Sequence, residues 1–470
     1  MIEKMIISQE YVLRFLIGSN DDSIIKYIFY GNPKDASELS KIVIVQSNFF
    51  NNGIYGTTKT IPKTPFNFLP ESDIPFLFGD SKLEIDATGH IVLYADLIAS
   101  AYYMLSRYEE IIKPKSRDKF NRFLAKDSIV FQQGYGVRPI VDEWGLYLRN
   151  LLRKTGIELP EEKYGFNKIY LTHDVDTPFE IYRFGQVIKQ WGKNIFHLGK
   201  RIKHPFRIYK TGENDSYNTF DKIVETDSAL QKKLGKECVE SIYFLIAAGS
   251  RKTKTYCNIL LKKFQKLIKM LFESGATLGL HVSLEAGGKP DLIKNEVTRL
   301  LKYCPNSVTK SRNHFLCWTE PEHIEHMELA GITEDFTLGY ADSAGFRVGT
   351  CRPYYFINPK TKSMTNIIIH PMEIMECSLD RISYMGLSYD EALELCKKIC
   401  YKVYKHNGEL NILWHNDSFL KKFYRDLYKS LLNYIENIET AHKCIGGGVR
   451  QYSIIRKLHI QPIRSLICAV

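Results

Sequence analysis

The stretch Phe166-Asn-Lys-Ile-Tyr-Leu-Thr-His-Asp-Val-Asp-Thr-Pro178 ends a short β-prone run in a histidine and two aspartates. Ile169, Tyr170 and Leu171 suit a buried strand, and parallel α/β folds place their site residues at strand carboxyl ends. Asp174 and Asp176, two apart, project to the same side of an extended chain, and His173 faces the other way. Two close carboxylates repel unless a cation or a shared proton compensates, which points to a divalent metal. An Asx-type turn leading into Pro178 is the structural alternative.

Downstream of this run the pattern alternates. Strands are expected at Glu240 to Ile246, Thr277 to His281, Val308 to His314, Ile332 to Phe336, Ile367 to His370 and Glu409 to Trp414. Helices are expected between them, the longest from Tyr389 to His406. This alternation predicts a mostly parallel sheet, open or closed as a barrel. Upstream, residues 1–165 read as a smaller α/β module without a catalytic cluster. It has a strand at Ile42 to Val45 and a hairpin around Asp86-Ala-Thr-Gly89. Helices are expected from Ala95 to Ile111 and from Val141 to Arg153, and Gly156 and Pro160 mark the boundary. The second module is expected over 166–436, with a carboxyl-terminal extension over 437–470.

At 470 residues the chain has room for two or three domains, and 44% hydrophobic with 25% charged residues is a globular composition. The first residues are acidic where a signal peptide would be basic. The longest mostly apolar stretch, Ile91 to Leu105, is interrupted by Asp96 and too short to span a bilayer. Ten cysteines, none in a Cys-x-x-Cys pair, suit a reducing compartment, so the expectation is a cytoplasmic protein. Cys396 and Cys400, one helical turn apart, read as core packing.

Four strand ends carry ligand or acid–base residues: Asp174 with Asp176, His281, Arg312 with His314, and His415. In a parallel barrel these ends share one rim. Leu171-Thr-His-Asp-Val-Asp176, Gly279-Leu-His-Val-Ser283, Ser311-Arg-Asn-His314 and Leu413-Trp-His-Asn416 resemble, in order, the motifs of the polysaccharide deacetylases, the NodB-type carbohydrate esterases. More narrowly, the chain resembles a bacterial subgroup found in surface-polysaccharide biosynthesis, whose members carry an uncharacterised amino-terminal domain. Tyr102-Tyr-Met-Leu-Ser-Arg-Tyr-Glu-Glu110 and Arg138-Pro-Ile-Val-Asp142 look like landmarks of that domain. Thr337-Leu-Gly-Tyr-Ala-Asp342 and Gly345-Phe-Arg-Val-Gly-Thr350 look like landmarks of its catalytic part.

The resemblance implies a distorted (β/α) barrel and a metal-dependent hydrolase that removes an N-acetyl group from an amino sugar in a polysaccharide or its precursor. It implies Asp174 as the general base, Arg312 as the cation that orients it, and His415 as the acid that protonates the departing amine. Asp176 and His281 would be metal ligands, zinc being expected and nickel or cobalt the alternatives. The sequence departs from the family in three places. Val175 separates the aspartates, Glu285 stands where a second histidine is usual, and His314 stands where proline is usual. His314 is expected as the third ligand, with Glu285 the alternative. Asp342, Arg347 and Trp414 are expected at the sugar site, while Glu373 and Glu376 are candidates for substrate hydroxyls. His323 and His326 are expected to be solvated, and His370 to be structural. A binding protein without turnover and a hydrolase of another carbon–nitrogen amide bond are the alternative functions.

From Ile181 to Gly212 there are eight Lys or Arg residues and no acidic residue. Trp191, Ile195, Leu198 and Ile202 fall on one helical face, with Lys189, Lys193, Lys200, Arg201 and Lys203 around it. Such a helix suits either a sheet-flanking position or peripheral contact with a membrane's inner face. Nucleic-acid binding is not expected, because no recognition motif accompanies the charge. The oligomeric state is not legible.

Overall fold

The computed structural model describes residues 2–196, 205–247, 259–318 and 321–445. The amino-terminal module is built on a four-stranded sheet in the spatial order Ile28–Gly31, Ile42–Val45, Ile91–Ala95, Gly79–Ile85. The first three strands are parallel, and the last pairs antiparallel with Ile91–Ala95 as the expected hairpin. Helices Ile2–Ile17, Leu97–Leu105 and Ile140–Lys154 pack against one another. The helix expected from Ala95 to Ile111 is two helices, Leu97–Leu105 and Tyr108–Ile112, with Arg107 between them in the left-handed region at φ 54°. Ser106 Oγ donates back to the Tyr102 carbonyl at 2.6 Å and closes the first helix. The break turns Arg107 and Glu110 toward the second module.

That module carries nine strands in the order Tyr354–Asn358, Ser363–Ile369, Glu334–Asp335, Lys310–Asn313, Thr277–Val282, Val239–Leu245, Lys168–Val175, Glu409–Leu413, Ile374–Met375. All neighbours are parallel except the first pair, a terminal hairpin. Of the two expected forms, open or closed as a barrel, the sheet is the open one: among the described residues no ladder joins the two edges. One edge ends in that antiparallel hairpin and the other in a two-residue strand, so neither offers a parallel partner for closure. The sheet nevertheless curls strongly. Arg312, on Lys310–Asn313, reaches Thr172 Oγ1 at 2.8 Å although two strands lie between them. Helix Lys422–Ile445 runs across the boundary expected at 436, and Glu439 on it accepts from the Phe166 amide at 3.2 Å. Cys396 and Cys400 are free and buried in the core.

The modules meet through the sequence landmarks of both. Glu110 is buried between Arg107 and Arg347, with Arg347 Nη2 at 2.9 Å from each carboxylate oxygen. Asp142 accepts from Thr350 Oγ1 at 2.7 Å, the Cys351 amide at 2.9 Å and Arg352 Nε at 2.8 Å. Asp342 accepts from the Ala125 amide at 2.9 Å. Burial pushes the Glu110 carboxyl up, but Arg107 and Arg347 more than offset this and hold it below the usual range. Glu110→Ala, which removes the carboxylate between two buried guanidinium groups, is expected to cost about 3–5 kcal/mol, read as a lowered urea midpoint. An unchanged midpoint would show that this triad does not hold the modules together.

Candidate active site

The Lys168–Val175 strand carries Asp174 on its cleft side and His173 on the other, as a period of two requires. His173 is fully buried between the Trp414 carbonyl, 2.8 Å from Nδ1, and Asp227, 2.9 Å from Nε2. Asp174 Oδ1 lies 3.0 Å from Arg312 Nη1. Arg312 is itself fixed by the Phe336 carbonyl at 3.0 Å, Thr172 Oγ1 at 2.8 Å and Asn411 Oδ1 at 3.2 Å, with its guanidinium 4.6 Å from the Phe244 ring. So fully held a cation has one orientation, and it turns the other carboxylate oxygen, Oδ2, toward His281 Nε2 at 3.6 Å.

Asp176, His281 and His314 each offer a donor atom, all within 4.8 Å of one another. Asp176 Oδ1 is 3.0 Å from His281 Nε2, and Oδ2 is 3.5 Å from His314 Nε2. His281 Nδ1 donates to the Arg312 carbonyl at 3.0 Å, which leaves the Nε2 lone pair facing Asp176 in the neutral ring. Asp176 Oδ1 and His281 Nε2 are buried, face each other and have no other hydrogen-bond partner among the described residues, the state expected of two lone-pair donors aimed at a common ion. Although burial raises it, the neighbouring His314 and His281 hold the Asp176 carboxyl well below the usual range. Two imidazoles and a carboxylate are a donor set that suits zinc and its neighbours. These residues could hold a metal ion, whereas Glu285 is exposed and outside the group.

Across the cleft, His415 Nδ1 lies 2.7 Å from Glu376 Oε1, which also accepts from the His415 amide at 3.1 Å and Ser418 Oγ at 2.6 Å. A carboxylate there requires Nδ1–H and leaves Nε2 facing Asp176 Oδ2 at 3.9 Å. Burial lowers the His415 pKa, but Glu376 outweighs it and raises the imidazole well above its usual value. Cys377 could complete a second metal-type group with Glu376 and His415. Burial first and Glu376 second push its thiol up to about 12, so it stays protonated, and the other two already bind each other.

Asp174, Asp176, His314, Glu376, Cys377 and His415 line one cleft of about 740 Å³. Its wall includes Asp118, Lys119, Phe120 and Arg122 from the amino-terminal module, in which the sequence shows no chemistry. Phe120 stacks on Phe315 at 4.7 Å, and Phe315 on His314 at 4.0 Å. Arg122 Nη1 donates to the Phe315 carbonyl at 3.1 Å, so the neighbouring module props the loop that carries His314.

Three residues expected at the sugar site lie elsewhere. Arg347 and Asp342 face the amino-terminal module, as described above. Trp414 is fully buried and packs on Tyr428, ring centres 5.0 Å apart. On the Glu409–Leu413 strand and its continuation, alternation puts Trp414 on the core side and His415 on the cleft side. His323 is buried rather than solvated, because helix Glu322–Leu329 turns it toward Trp318, and its pKa falls to about 3 mainly through burial. His326 is half-buried. His370 bridges Glu334 at 3.1 Å and Glu409 at 2.6 Å, a structural position. Glu373 is buried and accepts from the Asn411 amide at 2.9 Å. Glu376, read from the sequence with Glu373 as a candidate for substrate hydroxyls, is instead the partner of His415; no local signal separates it from Glu373, since only the fold brings it to His415.

Comparisons with known proteins add the following. The model of a family of unknown function, DUF7033, matches residues 1–156. No curated protein matches. Among solved structures, a Mycobacterium smegmatis protein described as a polysaccharide deacetylase is similar at 13% identity and a TM-score of 0.36, over 66% of this chain and 96% of that one. The Puue allantoinase is similar at 12% identity and a TM-score of 0.36, over 60% and 92% of the two chains. A Pseudomonas aeruginosa PAO1 protein described as a polysaccharide deacetylase is similar at 12% identity and a TM-score of 0.33, over 57% and 83%.

Proposed function

We propose that the protein is a metal-dependent hydrolase that removes the N-acetyl group from an amino sugar of a surface polysaccharide or its precursor. The observation that carries this reading is one cleft with three separate functions on its walls. These are a possible ion site at Asp176, His281 and His314, a carboxylate oriented by Arg312, and an imidazole oriented by Glu376. A divalent ion at the first would supply Lewis acidity toward the amide carbonyl and a lowered pKa for the attacking water. Asp174 takes the proton from that water, and Arg312 fixes the accepting oxygen in place. His415 Nε2 carries a proton to the amine, which leaves only when protonated. Glu376 keeps that imidazole charged and correctly rotated. The test is acetate release from N-acetylated mono- and oligosaccharides by zinc-, nickel- or cobalt-loaded protein. Cleavage of a cyclic amide with no acetate from any sugar would move the reading to another carbon–nitrogen substrate.

Peripheral membrane contact belongs to the same reading. No helix among the described residues is long and apolar enough to cross a membrane. Helix Phe184–Phe196 instead exposes Phe184, Ile188 and Trp191 along one face, beside Arg183 and Lys189, and Phe206 is exposed on the next helix. Leu198, Lys200, Arg201, Ile202 and Lys203 lie outside the described residues. Aromatic groups flanked by cations match the chemistry of an anionic lipid surface. Vesicles containing phosphatidylglycerol are expected to co-sediment the protein, and Trp191→Glu with Ile188→Glu to abolish it. Equal sedimentation with and without lipid would remove the membrane contact.

A further inference from the structure

The cleft's charges are unevenly paired. Of its carboxylates, Asp118 is bound by Arg122 at 2.7 Å, Asp174 by Arg312 at 3.0 Å and Glu376 by His415 at 2.7 Å, while Asp176 faces His281 and His314. Asp417 alone among the cleft's carboxylates is exposed without an ion pair to any described residue. The cations Lys119, Arg381 and Lys421 also line the cleft, all three exposed and none in an ion pair among the described residues. Each sits against an aromatic ring of the same wall: Lys119 at 5.1 Å from Phe120, Arg381 at 5.8 Å from Tyr384 and Lys421 at 5.0 Å from Tyr424. Those contacts restrain long side chains that would otherwise sweep solvent, so their charge stays at the cleft. The cations stand on both sides of the reacting groups. Lys119 belongs to the wall that stacks on His314 through Phe120 and Phe315, and Lys421 follows closely on His415 in the chain.

We infer that the cleft takes an anionic saccharide, whose phosphate or carboxylate substituent is held by Lys119, Arg381 and Lys421 beside the acetamido group. Three unpaired cations against a single unpaired carboxylate, Asp417, leave a positive mouth, and a positive mouth concentrates and orients anions. Flat aromatic faces beside them accept the apolar face of a pyranose ring. A neutral glycan would use the rings and leave the cations idle. Lys119 comes from the amino-terminal module, so that module contributes to substrate choice and not only to packing. The inference depends on the hydrolase reading for the amino-sugar part of the ligand, but its test needs no turnover.

The test is calorimetric titration of the protein with three sugars that differ in charge: glucose, glucose 1-phosphate and glucuronate. At least one of the two anionic probes is expected to bind about tenfold or more tighter than neutral glucose at low salt, as charge-assisted contacts require. The advantage is expected to shrink to about twofold in the Lys119→Gln, Arg381→Gln, Lys421→Gln triple variant, and to fall as ionic strength is raised through the range where the Debye length drops below about 5 Å. The preferred probe distinguishes phosphate from carboxylate as the source of charge. Equal binding of charged and neutral probes, or a preference that survives in the triple variant, overturns the inference. Because the three side chains are exposed, unchanged melting is expected, and Lys421→Arg should keep the preference. If no N-acetylated sugar releases acetate yet the charge preference stands and is lost in the triple variant, the hydrolase reading fails while this one survives.

Discussion

Elemental analysis of the purified 470-residue chain, equilibrated with zinc and desalted, is expected to return about one ion per chain, and Asp176→Ala and His281→Ala to return essentially none. Asp176 is the pivot of the site, because its two oxygens face the two imidazoles at 3.0 and 3.5 Å. Its loss leaves two neutral rings without the carboxylate that draws a cation to them. Loss of His281 removes the ring whose tautomer is already set by the Arg312 carbonyl, so no remaining side chain presents a preorganised nitrogen there. Glu285→Ala is expected to keep the ion, since Glu285 is exposed and outside the group. Nickel and cobalt should load the same donors, because first-row ions differ in affinity more than in the donor types they accept. A full complement of metal in both Asp176→Ala and His281→Ala would move the site away from this cluster.

The parts of this site that could be read in the sequence share one property: local periodicity. Asp174 and Asp176 face the cleft and His173 the core because side chains alternate along a strand. His281, Arg312 and His415 converge because parallel strands present their carboxyl ends on one side. What was not legible depends on contacts far apart in the chain. Glu376 meets His415 across a separation of 39 residues, and nothing in its own neighbourhood marks it over Glu373. The resemblance alone points Asp342 and Arg347, the charged residues of the Thr337-to-Asp342 and Gly345-to-Thr350 landmarks, to the sugar site. Arg347 instead answers Glu110, 237 residues away. Open versus closed was undecidable because closure depends on how the last strands pair, and the antiparallel turn between Tyr354–Asn358 and Ser363–Ile369 is a local reversal inside an otherwise parallel pattern. Phe120 and Arg122 carry no motif at all, and only docking of the two modules brings them to the cleft.

Asp174→Asn and His415→Ala are expected to keep the ion and to lose activity in ways that differ with the leaving group. On an N-acetylated sugar, each substitution should lower kcat by about a hundredfold to ten-thousandfold, the range spanned by a single positioned base or acid. On 4-nitrophenyl acetate the two should separate. Attack by water still needs a base, so Asp174→Asn stays impaired, because the amide that replaces the carboxylate beside Arg312 cannot take a proton. The nitrophenolate leaves without being protonated, so His415→Ala should lose less than about tenfold on the ester. Glu376→Gln should follow the His415 pattern more weakly, since it removes the carboxylate 2.7 Å from Nδ1 without removing the imidazole. Equal losses for His415→Ala on amide and ester would assign His415 to ion or substrate binding instead of proton donation. Full activity of Asp174→Asn on the ester would place the base elsewhere, and the neighbouring carboxylate with no ion pair is Asp417, on the same cleft wall. The ester therefore separates the base from the acid on a single protein, and the retained ion in both variants separates either role from that of a ligand.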